Sequence, residues 1–229
     1  VVDEEKKHPA DFVLWFKRVG RFAEHSMYWP SPWGEGFPGW HIECSAMSMH
    51  YLGETIDIHT GGIDHIPVHH ENEIAQSEGA TEKQFVRYWL HNEWLLVDGK
   101  KMAKSAGNFY TLRDIIAKNI NPVAYRFWLL MAHYRTRVNF VLDTVEGAET
   151  ALKRLYGLYK DLGEEIGEVS SLYQNKFKAF IEDDLDTPQA ISLMWELLKD
   201  NTVSNEVKKA TLLDFDNVLG LGLKDLKDE

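Results

Sequence analysis

The densest run of metal-ligating side chains in the sequence is His69-His70-Glu71-Asn72-Glu73. On a helix, His69 and Glu73 stand at i and i+4, so both leave the same face. An imidazole and a carboxylate so placed form half of a zinc site, the geometry that H-E-x-x-H helices use. His70 projects about 100° away and is not expected to share that ion. A thiolate would complete a tight site, and Cys44 is the only cysteine in the chain. It would reach the pair from the preceding helix across one strand. The same spacing fits a His/Glu surface pair beside a structural cysteine, and spacing alone leaves both readings open.

Two further strings carry chemistry. Ile58-His59-Thr60-Gly61-Gly62-Ile63-Asp64-His65 reads as a strand end, a glycine pair and an acid. At the carboxyl end of a parallel strand, glycine admits a ligand to the backbone, and an acid there bonds ribose hydroxyls. A glycine pair also simply turns a chain. The second string runs from Asp98 through Gly99, Lys100, Lys101, Met102, Ala103, Lys104 and Ser105 to Asn108. Ammonium groups on such a loop neutralise phosphates and the charge that builds up in phosphoryl or nucleotidyl transfer. A solvated lysine loop has the same composition.

The flanking patterns predict the elements that hold these residues. Asp11–Val19 reads as a short amphipathic helix. Trp29–Trp40 is too rich in Pro and Gly for a helix or central strand, and its Trp residues suggest a loop folded over an apolar surface. Ile42–Leu52 returns to helical spacing, with Ile42, Ala46, Met49 and Leu52 near one face. Thr55–Thr60 alternates as a strand does, and Val68–Ser77 is a helix with Pro67 in its first turn. Trp94–Val97 is a second strand, closed by Asp98-Gly99. Helix, strand, helix, strand is an α/β pattern with a parallel sheet. Beyond Thr111 no strand is expected. Helices are predicted after Thr111, from Asn121-Pro122 to about Tyr134, over Thr144–Leu162, Leu172–Ile181, Pro188–Leu198 and Val203–Leu219.

Composition narrows the classes. A hydrophobic content of 44% with 8 Trp, 9 Tyr and 11 Phe excludes disorder over the whole chain. The longest apolar runs, such as Phe127–Ala132, fall far short of the ~20 residues of a membrane span. One cysteine excludes an intrachain disulfide framework and suits a reducing compartment. A net charge of −11 argues against general nucleic-acid affinity. Residues 81–145 nevertheless carry 10 basic and 5 acidic side chains between two acidic flanks. That middle is either charge noise or a local site for phosphates.

Taken in order, these strings resemble cysteinyl-tRNA synthetase, a class I aminoacyl-tRNA synthetase family. The resemblance is carried by Gly39-Trp40-His41-Ile42-Glu43-Cys44-Ser45-Ala46-Met47, by Asp57–Asp64 and by Pro67–Ser77. Lys101-Met102-Ala103-Lys104-Ser105 is similar to the class I signature KMSKS with Ala for its central Ser, and Gly107-Asn108-Phe109 follows it. Asp183–Ala190 resembles the family's C-terminal helical domain, and the similarity runs from about Asp3 to Leu223.

The resemblance implies the second half of a Rossmann-like α/β catalytic domain followed by an all-α helical domain. Its expected parts are residues 1–115, with the zinc residues and lysine loop, a stem-contact helical region over 116–165, and a tRNA-binding type helical domain over 166–229. It implies ATP-dependent activation of L-cysteine, with Mg, and transfer to tRNA(Cys) in the cytoplasm. Cys44, His69 and Glu73 resemble three of the family's four zinc ligands, the zinc there taking the substrate sulfur. Trp40 looks like the wall of the amino-acid pocket. His59, Gly61, Gly62 and Asp64 look like substrate and adenosine-side contacts. Lys104 resembles the lysine that binds ATP phosphates, with Lys101 supporting it. Arg126, Arg135 and Arg137 are placed to face tRNA, or to make helix-surface salt bridges.

Two family features are absent from the sequence. No His-x-Gly-His motif occurs, and no second cysteine supplies a fourth ligand. The chain is therefore expected to be a truncation, an incomplete gene product or one part of a split enzyme, with the missing first half as a partner and little activity alone. Two alternatives stay open: a non-catalytic tRNA- or protein-binding remnant, and the related ligase that joins cysteine to an amino sugar. That ligase family lacks the Glu at the i+4 position, so Glu73 favours the synthetase.

Overall fold

The computed structural model describes residues 6–102 and 107–226. The chain folds as two compact units, Val1–Asn92 and Glu93–Glu229.

The first unit opens with a hairpin-like pair rather than the expected helix. β1 (Trp15–Lys17) runs antiparallel to β2 (Gly36–Pro38), with Phe16 opposite Phe37. The two rings stack at 5.2 Å, and Phe22 closes on both. A Cβ on Gly36 would lie 2.1 Å from the Phe16 carbonyl oxygen, so only glycine lets the strands meet. The aromatic pairing across some twenty residues overrides the local helical spacing. The Pro/Gly-rich segment thus contributes a strand, and Trp29 and Trp33 lie largely exposed rather than folded over an apolar surface.

α1 (Trp40–Leu52) follows and stops at Gly53, whose φ of +93° suits glycine. Its one fully buried side chain is Ser45, while Ala46 and Leu52 of the expected apolar face meet solvent. β3 (Ile56–Gly62) then pairs in parallel with β4 (Val86–Asn92), from Ile56 opposite Val86 to Gly62 opposite Asn92. The crossover between them is a 3₁₀ turn at Ile63–His65, a π-helical turn at Ile66–His70 and α2 (Glu71–Thr81). Ile56, Phe85 and Val86 form the small core, with Ile74 and Trp89 packed on it. On the two-stranded sheet, the paired Ile58 and Tyr88 stay exposed.

In the second unit β5 (Leu95–Val97) lies between β6 (Lys100–Lys101), antiparallel, and β7 (Val138–Phe140), parallel. β7 corrects the expectation of no strand beyond Thr111. α3 (Leu112–Ala117) begins on a capping box between Thr111 and Asp114. α4 (Pro122–Leu130) begins on the Asn121 side chain with Pro at its first position. α5 (Leu142–Lys160), α6 (Ser171–Glu182), α7 (Thr187–Lys199) and α8 (Asn205–Leu219) match the predicted helices within a few residues. Phe127, Leu152, Leu155, Met194, Leu197, Leu212 and Phe215 are almost wholly buried in one apolar core. Each such side chain is worth about 1.5–3 kcal/mol relative to exposure. No helix is long and apolar enough to cross a membrane among the described residues.

Candidate functional site

α1 and α2 pack side by side, and one polar contact sets their register. The Ser45 hydroxyl, wholly buried on α1, donates to Gln76 Oε1 on α2 at 2.7 Å. One residue before Ser45, Cys44 is thereby turned toward the start of α2. There the π-helical turn widens the backbone before the regular helix begins, and His69 and His70 are both buried. Cys44, His69 and Glu73 each bring a ligand atom within 4.8 Å of the other two. The structure thus brings the i, i+4 pair and the cysteine together, which spacing alone left open.

Glu73 is the centre of the site. It is wholly buried, and its carboxylate is split between two surroundings. Oε2 accepts from His59 Nε2 at 2.7 Å. Oε1 has no hydrogen-bond partner, although His69 Nε2 stands 3.3 Å away. A buried carboxylate oxygen without a partner is costly, and a cation held with Cys44 and His69 would satisfy it. The donor set of thiol, imidazole and carboxylate suits zinc, whose bonds run about 2.0–2.3 Å. On both grounds the three residues fit a zinc ion.

Protonation states follow from the packing. Burial, then the negative charges of Glu73 and Glu43, and last the contact of the thiol with the Glu73 carboxylate, push the Cys44 thiol above its ordinary value. A bound cation would reverse that by stabilising the thiolate. Burial depresses His69, and the neighbouring His41, His65 and His59 add to the effect against the pull of Glu73. Burial likewise lowers His70 to about 4, helped by His59, His91, His65 and His69. Neutral imidazoles are the form that binds a metal. His69 Nδ1 lies 2.7 Å from His41 Nδ1, which fixes its ring and leaves Nε2 facing Glu73.

His70 stays out of the Cys44 trio, as expected, but groups instead with His59 and the same Glu73 within 4.8 Å. Its Nδ1 bonds His91 Nε2 at 2.7 Å, and His65 lies 5.4 Å from it, ring to ring. Nothing in the sequence marks His41 or His91 as a partner of these histidines. His91 sits on β4, 21 residues from His70, and only the parallel β3–β4 pairing brings it near.

The remaining expected residues fall as follows. Trp40, largely exposed, rests on the histidines with its ring 4.7 Å from that of His69. A Cβ on Gly61 would lie 2.6 Å from His70 Cε1, and one on Gly62 2.6 Å from Asp64 Oδ1. The glycine pair therefore makes room for the site's own side chains. Asp64 is exposed at the following turn. In the second unit Lys101 is exposed on β6 with Nζ 4.4 Å from the centre of the Trp94 ring. Lys104 lies outside the described residues. Arg126 Nε donates to the Leu219 carbonyl at 2.6 Å, closing the end of α8. Arg135 pairs with Asp184 and Arg137 with Glu93.

Comparison with known proteins identifies the pattern. A family model described as the tRNA synthetases class I (C) catalytic domain matches residues 1–150. The chain belongs to this family. A Cysteine--tRNA ligase of Treponema denticola is 45% identical over 97% of this chain and 50% of the relative. That of Caldicellulosiruptor saccharolyticus is 50% identical over 91% of this chain and 47% of the relative. The chain thus spans about half the length of the curated relatives it matches. The class I synthetase fold is also seen in the agnB2 LeuRS of Agrobacterium radiobacter, solved as a ternary complex with tRNA and LeuAMS. It aligns at a TM-score of 0.62 and 16% identity, over 85% of this chain and 32% of that one.

Proposed function

We propose that this class I synthetase chain is the metal-bearing part of a cysteine–tRNA ligase. It would serve ATP-dependent activation of L-cysteine and transfer to tRNA(Cys), in the cytoplasm. The observation that carries the reading is the buried, unsatisfied Oε1 of Glu73 between Cys44 and His69. Zinc bound there would take the substrate sulfur, and a soft thiolate bond separates cysteine from serine better than a hydrophobic pocket does.

The chain's own residues have distinct tasks in this reading. Cys44, His69 and Glu73 hold the ion, and His41 keeps His69 in the ligating orientation. His59 hydrogen-bonds the second Glu73 oxygen, so that the carboxylate does not rotate away. Trp40 covers the cluster and excludes water from the amino-acid side. Asp64, beside Gly61 and Gly62, takes the ribose side of ATP. Lys101 and Lys104 meet the phosphates, offsetting charge that builds up as the carboxylate attacks the α-phosphate. Loss of the hydroxyl at Ala103 matters less than loss of either lysine, because charge carries the role.

The part of the relatives' length that this sequence does not span is the expected partner of the site. Its support is the two-stranded parallel sheet with Ile58 and Tyr88 exposed, together with the half-length match to the relatives. Open parallel sheets are normally covered on both faces.

Cysteine-dependent pyrophosphate exchange tests the function. With the first half supplied in trans, exchange appears and depends on Lys104. The chain alone is slower by at least about 10²–10³-fold, the cost of one preorganised electrostatic element. Robust exchange by the chain alone, abolished by Lys104→Ala, would overturn this division of labour. Absence of exchange even with the first half would favour a non-catalytic RNA- or protein-binding module.

A further inference from the structure

The contacts around Trp94 lie outside the metal-site account. Trp94 directly precedes β5, the middle strand of the second unit's sheet. Lys101 on β6 stands opposite Leu96, and Val138 on β7 opposite Leu95. Side chains alternate along a strand, so Trp94 and Leu96 share a face. Lys101 is therefore the diagonal neighbour of Trp94 on one side, and Arg137, one residue before Val138, its direct neighbour on the other. The distances agree with that register. Lys101 Nζ is 4.4 Å from the ring centre, and the Arg137 guanidinium carbon 5.7 Å.

The two cations are treated differently. Glu93 Oε1 accepts from Arg137 Nε at 3.1 Å and lies 3.1 Å from its Nη2. That pairing neutralises Arg137 and relieves its repulsion of Lys101. No ion pair involves Lys101 among the described residues. The described contact of its ammonium is the indole face, its carbonyl accepts from Asn108 Nδ2 at 3.1 Å, and it opens the Lys101-Met102-Ala103-Lys104-Ser105 string.

We propose that Trp94 is a positioning residue for Lys101. Its ring parks the Lys101 ammonium while no nucleotide is bound, and a polyphosphate draws the ammonium off the ring. The indole is half-buried and Lys101 exposed, and a cation that stays in water over a ring is held weakly. A phosphate oxygen bonded to an ammonium is a stronger contact. Parking therefore orders the lysine without trapping it, and Glu93 keeps Arg137 from displacing it. The inference rests on the phosphate-binding reading of Lys101.

Trypsin cleavage at the Lys101–Met102 bond reads the contact directly in the full chain. Rates are taken by mass spectrometry relative to cleavage after Lys178 on α6. Trp94→Leu should raise the relative rate about two- to fivefold, and Trp94→Phe, which keeps an aromatic face, should restore it. Inorganic tripolyphosphate should protect the bond, at lower concentration in Trp94→Leu than in the wild type. Equal relative rates in wild type and Trp94→Leu would overturn the parking contact. Accelerated cleavage in Trp94→Leu with no protection by tripolyphosphate would overturn the exchange and the phosphate reading beneath it. The wild-type chain gives a check that needs no variant. The Lys101 side-chain methylene protons should show an upfield ring-current shift by NMR that tripolyphosphate removes. Ordinary lysine shifts there would overturn the proposal even if Trp94→Leu fails to fold.

Discussion

His59 and Glu73 are joined by a 2.7 Å contact between Nε2 and Oε2 inside a site where the carboxylate is wholly buried. A carboxylate only accepts, so His59 carries its proton on Nε2 and donates it. One oxygen of Glu73 is thereby satisfied and fixed in direction, and the other is turned toward Cys44 and His69 with no hydrogen-bond partner. The geometry of the candidate metal site is set by this one division of a carboxylate between two neighbours.

The Ser45–Gln76 bond is predicted to control metal affinity at a distance. It is the buried polar tie between α1 and α2. Ser45→Ala leaves Gln76 Oε1 without its partner, at a cost of about 1–3 kcal/mol, and lets α1 slide. Zinc affinity, read by competition with a chelator, should fall about 10-fold with the three ligands untouched. An unchanged affinity would separate Cys44 placement from this contact.

A pH effect is expected in the helical part. The Thr202 hydroxyl and amide and the Tyr173 hydroxyl hold Asp200 at about 2, down from 3.8. Burial and the Asp200 bond push Tyr173 up to about 12. A depressed carboxylate stabilises the fold above its unfolded value and loses that contribution as pH falls through its folded one. The wild type should therefore lose stability to urea between about pH 4 and 2, and Asp200→Asn should lack that component. Identical pH profiles for the two would contradict the assignment.

The basic middle of the chain predicts a salt-dependent RNA interaction. Arg135 keeps an exposed guanidinium even while paired with Asp184. Binding of tRNA(Cys) should weaken as salt rises, and Arg135→Ala should reduce the slope of log affinity against log salt by about 1. Affinity that ignores both salt and Arg135→Ala would remove tRNA from the proposed partners of this surface.

Local signals in the sequence located much of the structure. Thr111 and Asn121-Pro122 cap their helices because side-chain oxygens one turn away decide where helices start. The i, i+4 pair and the single cysteine suggested the trio, but spacing left a surface pair equally open, and only the family resemblance singled out Cys44, His69 and Glu73 together. What escaped depends on distant pairing. β1 forms because Phe16 finds Phe37, which no window of nine residues contains. β4 was missed because a two-stranded parallel sheet buries only Val86 fully and imposes no clean alternation on Val86–Asn92. β7, at three residues, is too short to carry a period. The outer histidines His41 and His91 meet their partners across 28 and 21 residues, and only the assembled crossover makes them neighbours.

Metal content of the purified chain decides whether Cys44, His69 and Glu73 hold zinc. Elemental analysis after zinc exposure and desalting would compare the wild type with Cys44→Ala and Glu73→Gln. About one zinc per wild-type chain is expected at saturation, held more weakly than at a closed four-ligand site because Cys44, His69 and Glu73 supply three ligands. Both variants should show clear loss. Equal zinc in the wild type, Cys44→Ala and Glu73→Gln would contradict that assignment.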